Sequence, residues 1–200
     1  MMTTYTDISI DLETLGTQPG CPIVSVGMTA FNRNTGDINE LGEVHIDVQE
    51  QLDRGFEVSW DTIFWWMQQS KDAIFTTFGD GKNGRMKPPY ACFVLAHMLH
   101  GIHSDDASIS LQFSWAKPTT LTAWGNGATF DVSILEAFLI KTSGYRLFDH
   151  RKVRDMRTIM DVAGLSSRDI PFTGIAHTAQ ADATHQAKCI IAAFKRLKGG

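Results

Sequence analysis

Apolar and polar residues alternate near the start of the chain, where Ile8, Ile10 and Leu12 interleave with Ser9, Asp11 and Glu13. A period of two predicts a strand over residues 7–12 with one apolar face. Gly16, Pro19 and Gly20 mark a turn, after which residues 22–32, rich in β-branched and small side chains, predict a second strand. Gly36-Asp37 reads as a hairpin tip, and residues 42–48 return as a third strand with Val44 and Ile46 on one face. The spacing then changes to three and four. Ser59 is placed to cap a helix over 60–70, with Ile63, Trp66 and Met67 as its buried stripe. Ser70 can start a short helix through Phe78, and residues 79–89 form a loop rich in glycine and proline. Helices follow over 90–100, 131–143, 157–163 and 179–198, with extended segments at 119–124 and 153–156. Ile134, Leu135, Phe138 and Leu139 supply the apolar side of the second of these helices. Ala183, Ala187, Ile190, Ile191 and Phe194 face inward from the last. The polar stretch 103–117 has no clear period and no assigned element. A meander followed by alternating helices and strands predicts an α/β fold on a mixed sheet, as a single domain over 1–200.

Composition narrows this picture slightly. At 43% apolar and 20% charged, the 200 residues suit a folded globular domain. No run of eighteen apolar residues exists, so no membrane partner is expected. The start of the chain has neither a basic nor an apolar stretch of the secretory kind. Cys21, Cys92 and Cys189 are too dispersed for a zinc or redox pair and read as reduced thiols, which predicts a cytoplasmic location. The net charge of −4 argues against a nucleic-acid partner only until carboxylates bind cations. Locally, Arg146, Arg151, Lys152, Arg154 and Arg157 form one basic group and Lys82, Arg85 and Lys87 a smaller one. Either could equally be a solvated face.

Candidate chemistry lies in three places. Asp11 and Glu13, two apart on a strand, project from the same face while Leu12 turns to the core. Adjacent anions repel, and a hard divalent cation with oxygen ligands relieves them. An Asp-x-Glu pair alone is common by chance. Next, Gly125 and Gly127 allow a sharp turn that delivers Asp131 to the start of a helix, where a plain N-cap is the simpler role. Finally, His177 precedes the closing helix and Asp182 sits one turn into it. The helix dipole alone could explain Asp182, and His177 could be a surface histidine. Their joint occurrence in this order suits two-metal phosphodiester hydrolysis, in which two ions about 3.5–4 Å apart clamp the attacking and leaving oxygens. Asp11, Glu13 and Asp182 would hold one ion, Asp11 would bridge to a second, and Asp131 would reach that second ion directly or through water. His177 would take the proton of the attacking water.

At these residues the chain resembles the DEDDh branch of the DEDD (DnaQ-like) 3′-5′ exonucleases. Asp11-x-Glu13, Gly127-x-x-Phe130-Asp131 and His177-x4-Asp182 are similar to its three motifs, and the likeness runs from about residue 7 to 195. Trp65-Trp66 with Gln68 and Gln69, Trp124-Gly125-Asn126-Gly127 and Arg154-Asp155-Met156-Arg157-Thr158 resemble a narrower group. This is the small 3′-5′ exoribonuclease-like family of bacteria and prophages, together with the exonuclease A of T-even phages, so a phage origin fits. The resemblance implies an RNase H-like fold with helices on both faces of the sheet. It implies two Mg2+ or Mn2+ ions, and a nucleic-acid 3′ end, single-stranded or overhanging, as partner. Proteins of this size and type are often homodimers. Thr14, Leu15, Trp65, Asn126, Arg154 and Arg157 become candidate substrate contacts, and Asp155 a support beside the site. Trp65 and Trp66 could both serve packing alone. RNA and DNA stay equally open as substrates, and a catalytically silent binding module on the same fold is the alternative, whose signature would be a missing carboxylate.

Overall fold

The computed structural model describes residues 4–79, 84–101 and 119–199. Five strands form one sheet: β1 (Asp7–Thr14), β2 (Ile23–Phe31), β3 (Ile38–His45), β4 (Thr122–Gly125) and β5 (Val153–Asp155). Their order is β3-β2-β1-β4-β5, antiparallel across the first three and parallel from β1 to β4 to β5. The helices are α1 (Val48–Asp53), α2 (Trp60–Trp66), α3 (Lys71–Phe78), α4 (Pro88–Gly101), α5 (Asp131–Ser143), α6 (Met156–Ala163) and α7 (Ala179–Leu197).

Every residue of β2 is buried, which requires cover on both faces. On one side Ile8, Ile10 and Leu12 pack with Leu95 of α4 and Leu135 and Phe138 of α5. On the other, Met156 and Met160 of α6 join Ala187, Ile190 and Ala193 of α7 over Phe31 and Trp124. The polar side of β1 therefore meets a helix rather than water, and Ser9 and Asp11 both bond to Gln186 of α7. Fully buried Asp7 is paired with Arg33 at 2.5 Å and accepts from the Trp124 indole at 2.8 Å, which ties β1 to β4. Mixed sheet and two-sided helical cover are the arrangement expected. Among the described residues no helix is long and apolar enough to cross a membrane.

Several boundaries differ from the sequence expectation. β3 begins at Ile38 rather than residue 42, because an edge strand can carry the exposed pair Asn39 and Glu40 without apolar alternation. Ile46 lies beyond it, in a bridge to Met86. α2 stops at Trp66, so Met67 is 68% exposed rather than part of a buried stripe, and Ser59 occupies the N-cap position without a side-chain bond. α4 starts at Pro88, since proline is compatible with a first helical turn where no N–H is needed. The short helix α1, capped by Asp47, was not anticipated. Lys82 and the 103–117 stretch lie outside the described residues.

Candidate active site

The C-terminal half of β1 carries Asp11 and Glu13 toward α7, and the register decides what can approach them. Asp11 stands opposite Gly27 and Glu13 opposite Ser25. Gly27 is where α7 touches the sheet. A Cβ built on it would lie 2.1 Å from the carbonyl carbon and oxygen of Ala179 and 2.4 Å from the Gln180 nitrogen. Glycine thus lets the first turn of α7 rest directly on β2, beside Asp11. Glu43 of β3 helps to seat that turn by accepting the Gln180 N–H at 3.2 Å.

Asp182 then arrives one turn along α7. Carboxylate oxygens of Asp11, Glu13 and Asp182 all lie within 4.8 Å of one another. Asp131 comes from the far side of β1. It is the first residue of α5, with Phe130 in the N-cap position, so the simple capping role does not apply. It is only 2% exposed, and its Oδ2 has no hydrogen-bond partner among the described residues. Two glycines place it. Gly127, at φ +111°, accepts the N–H groups of Phe130 and Asp131 at 2.7 and 3.2 Å. At Gly125 a Cβ would stand 2.9 Å from the Asp131 Oδ2.

Burying these acids together raises their pKa values. Asp11 is pushed well above the usual carboxylate range by burial first, then by Asp131, Glu13 and Asp182. Glu13 rises to about 8 through burial and then Asp182, Glu43 and Asp131. Burial lifts Asp131 to about 7, against the pull of backbone N–H groups and Arg157. Asp182 also moves up by burial, opposed chiefly by His177. The clustered carboxylates of Asp11, Glu13 and Asp182 are oxygen donors that could hold a hard divalent ion.

His177 stands at the rim in the left-handed region, at φ +62°. Its N–H donates to the Asp182 Oδ2 at 2.9 Å, and its ring meets that of Trp65 edge-on, with centroids 5.2 Å apart. All four carboxylates and His177 line one cavity of about 870 Å³. Thr14, Trp65, Asn126 and Arg157 line it too, and the Arg157 Nε donates to the Asn126 Oδ1 at 2.9 Å. Leu15 and Arg154 are not part of that lining. The Arg154 guanidinium turns back to the carbonyls of Arg151 and Val153, at 2.7 and 2.8 Å. Trp66 is buried, and its indole N–H donates to the Thr14 carbonyl, pinning the end of β1.

Of the two basic groups, only Arg157 among the described residues reaches the cavity. Arg146 pairs with Glu136, Lys87 with Glu50, and Arg85 caps backbone carbonyls. Asp155 is the N-cap of α6 and also accepts from the Ala128 N–H at 2.9 Å, bracing the turn before Asp131. Burial alone would raise its pKa, but hydrogen bonds from Thr158 and Ala128 hold it below the usual value. Sequence reading missed His185 and Gln186, which also line the cavity. The Gln186 amide donates to the Asp11 Oδ1 at 2.6 Å while accepting from the Ser9 hydroxyl at 3.2 Å. Their offsets of three and four from Asp182, on one helix face, were the available signal.

Residues 6–194 match the model of the 3′-5′ exoribonuclease Rv2179c-like domain family. No curated protein sequence matches the chain. Among solved structures, the crystal structure of cell-death related nuclease 4 aligns with 93% of the chain, at 9% identity and a TM-score of 0.49. The chain spans 63% of that nuclease's length.

Proposed function

Starting from a chain that belongs to the 3′-5′ exoribonuclease Rv2179c-like domain family, we propose that it is an exonuclease that removes nucleotides from single-stranded or overhanging 3′ ends with two divalent ions. The observation that carries this reading is the set of carboxylate oxygens from Asp11, Glu13 and Asp182 within 4.8 Å, with an Asp131 oxygen in the same cavity that has no partner among the described residues.

Asp11, Glu13 and Asp182 would hold one ion, and Asp11 with Asp131 the other. When bound, Mg2+ or Mn2+ supplies Lewis acidity and offsets the charge that builds up on the phosphoryl oxygens. The remaining work falls to the chain. An imidazole nitrogen of His177, on the cavity wall beside Asp182, takes the proton of the attacking water. Gln186 fixes the rotation of the Asp11 carboxylate by occupying one of its oxygens. Trp65, 42% exposed on the cavity wall, offers a ring for the terminal base, a contact worth about 1–3 kcal/mol and indifferent to sequence. Arg157 and Asn126 provide donors for phosphate and sugar oxygens, and the Thr14 backbone for the terminal nucleotide.

Matched RNA and DNA oligonucleotides labelled at the 5′ end test this reading. With Mg2+ the labelled products should shorten stepwise from the 3′ end, and their relative rates assign the sugar. Asp11→Asn or Asp182→Asn should slow the reaction by several orders of magnitude. An unchanged rate in either variant refutes the ion assignment. A silent binding module finds no support, because none of the four carboxylates is missing.

A further inference from the structure

We propose that Thr77 of α3 is the positioning residue for His177, holding the histidine in the left-handed turn from which it acts; this rests on the reading of His177 as the proton acceptor.

His177 is the only non-glycine residue with positive φ among those described. A β-carbon makes that conformation unfavourable, so the surroundings must impose it. Two hydrogen bonds bracket the residue. Its N–H goes to the Asp182 Oδ2 at 2.9 Å, and its carbonyl accepts from the Thr77 Oγ1 at 3.1 Å. The first of these uses a carboxylate assigned to ion binding. The second is independent of the ions.

Thr77 is unusually committed to this contact. It is fully buried in the last turn of α3, where a threonine hydroxyl ordinarily bonds to a carbonyl of its own helix. Here it reaches one hundred residues along the chain instead. The end of α3 is itself held, because Arg85 donates to the carbonyls of Thr77 and Phe78 at 3.2 and 2.8 Å and to that of Ile46 at 3.3 Å. Through Trp65, the neighbouring helix α2 meets the imidazole from another side. The α2–α3 pair thus fixes both ends of His177: its ring through Trp65 and its backbone through Thr77.

Thr77→Val removes the hydroxyl at nearly constant shape, and Thr77→Ser restores it. We expect Thr77→Val to lower kcat by about 10-fold to 100-fold, the range for a small displacement of a reacting group, with KM unchanged. Thr77→Ser should restore most of the rate. In a His177→Ala background, Thr77→Val should cost nothing further. Mn2+ binding by calorimetry should be the same in Thr77→Val as in the parent chain, and the 15N signals of the His177 imidazole should shift or broaden. Equal losses from Thr77→Val with and without His177, no rescue by serine, or unchanged imidazole signals would each overturn the proposal. Full kcat in His177→Ala would instead remove the proton-acceptor reading beneath it, while the imidazole signals still report on positioning.

Discussion

Glu13 and Asp131 carry pKa values of about 8 and 7 because burial disfavours their ionised forms, aided at Glu13 by the neighbouring acids Asp182, Glu43 and Asp131. An acid whose pKa is higher in the folded than in the unfolded chain takes up a proton on folding. Its contribution to stability is complete below the ordinary carboxylate pKa of about 4 and is lost as pH climbs through the folded value. The ion-free protein should therefore melt at progressively lower temperature between about pH 5 and pH 8. Adding Mg2+ should flatten that slope, and Asp131→Asn should remove part of it while abolishing activity. Scanning calorimetry across this range with a chelator present decides the point; a melting temperature that rises with pH would contradict the electrostatic account. Asp155 shows how strongly local context controls the outcome. A carboxylate 24 residues from Asp131 and 27 from Asp182 in sequence, but supplied with Thr158 and Ala128 donors, moves in the opposite direction.

At the level of elements, the contact between α7 and β2 brings Asp182 to Asp11. Gly27→Ala would force a methyl group into the Ala179 carbonyl, and backbone cannot move aside as a side chain can. Overpacking of this kind costs about 1–3 kcal/mol, and the upper end applies here. Gly27→Ala should lower the melting temperature and weaken Mn2+ binding in calorimetry; normal Mn2+ affinity would show that α7 is not seated by this glycine. Such a role could not be read from the sequence. Asp11 and Glu13 were legible because a strand's period puts them on one face, and α7 because its apolar spacing is regular over five turns. Gly27 lay in an unbroken buried strand with no local mark of a close approach. The link between Trp65 and His177 was hidden for a similar reason: one hundred and twelve residues separate the partners, and no spacing rule spans that distance. β3 was misplaced because edge strands escape the pattern that buried strands obey.

Across the whole molecule, the site is a seam. The sheet and α5 supply Asp11, Glu13 and Asp131; α7 and the turn before it supply Asp182 and His177. Mutual repulsion works against closing this seam, and bound cations would reverse it. An ion present at 100 times its Kd stabilises a protein by about 2.7 kcal/mol. Saturating Mg2+ or Mn2+ should accordingly raise the melting temperature by several degrees, and chelation should return it to the ion-free value; no shift would mean that the acids bind nothing. The Gly27 contact has one more consequence, in the order of synthesis. Until α7 has left the ribosome and settled onto its strand, a growing chain has no fourth acid and no imidazole. Asp11, Glu13 and Asp131 meet their remaining partner only when that helix docks.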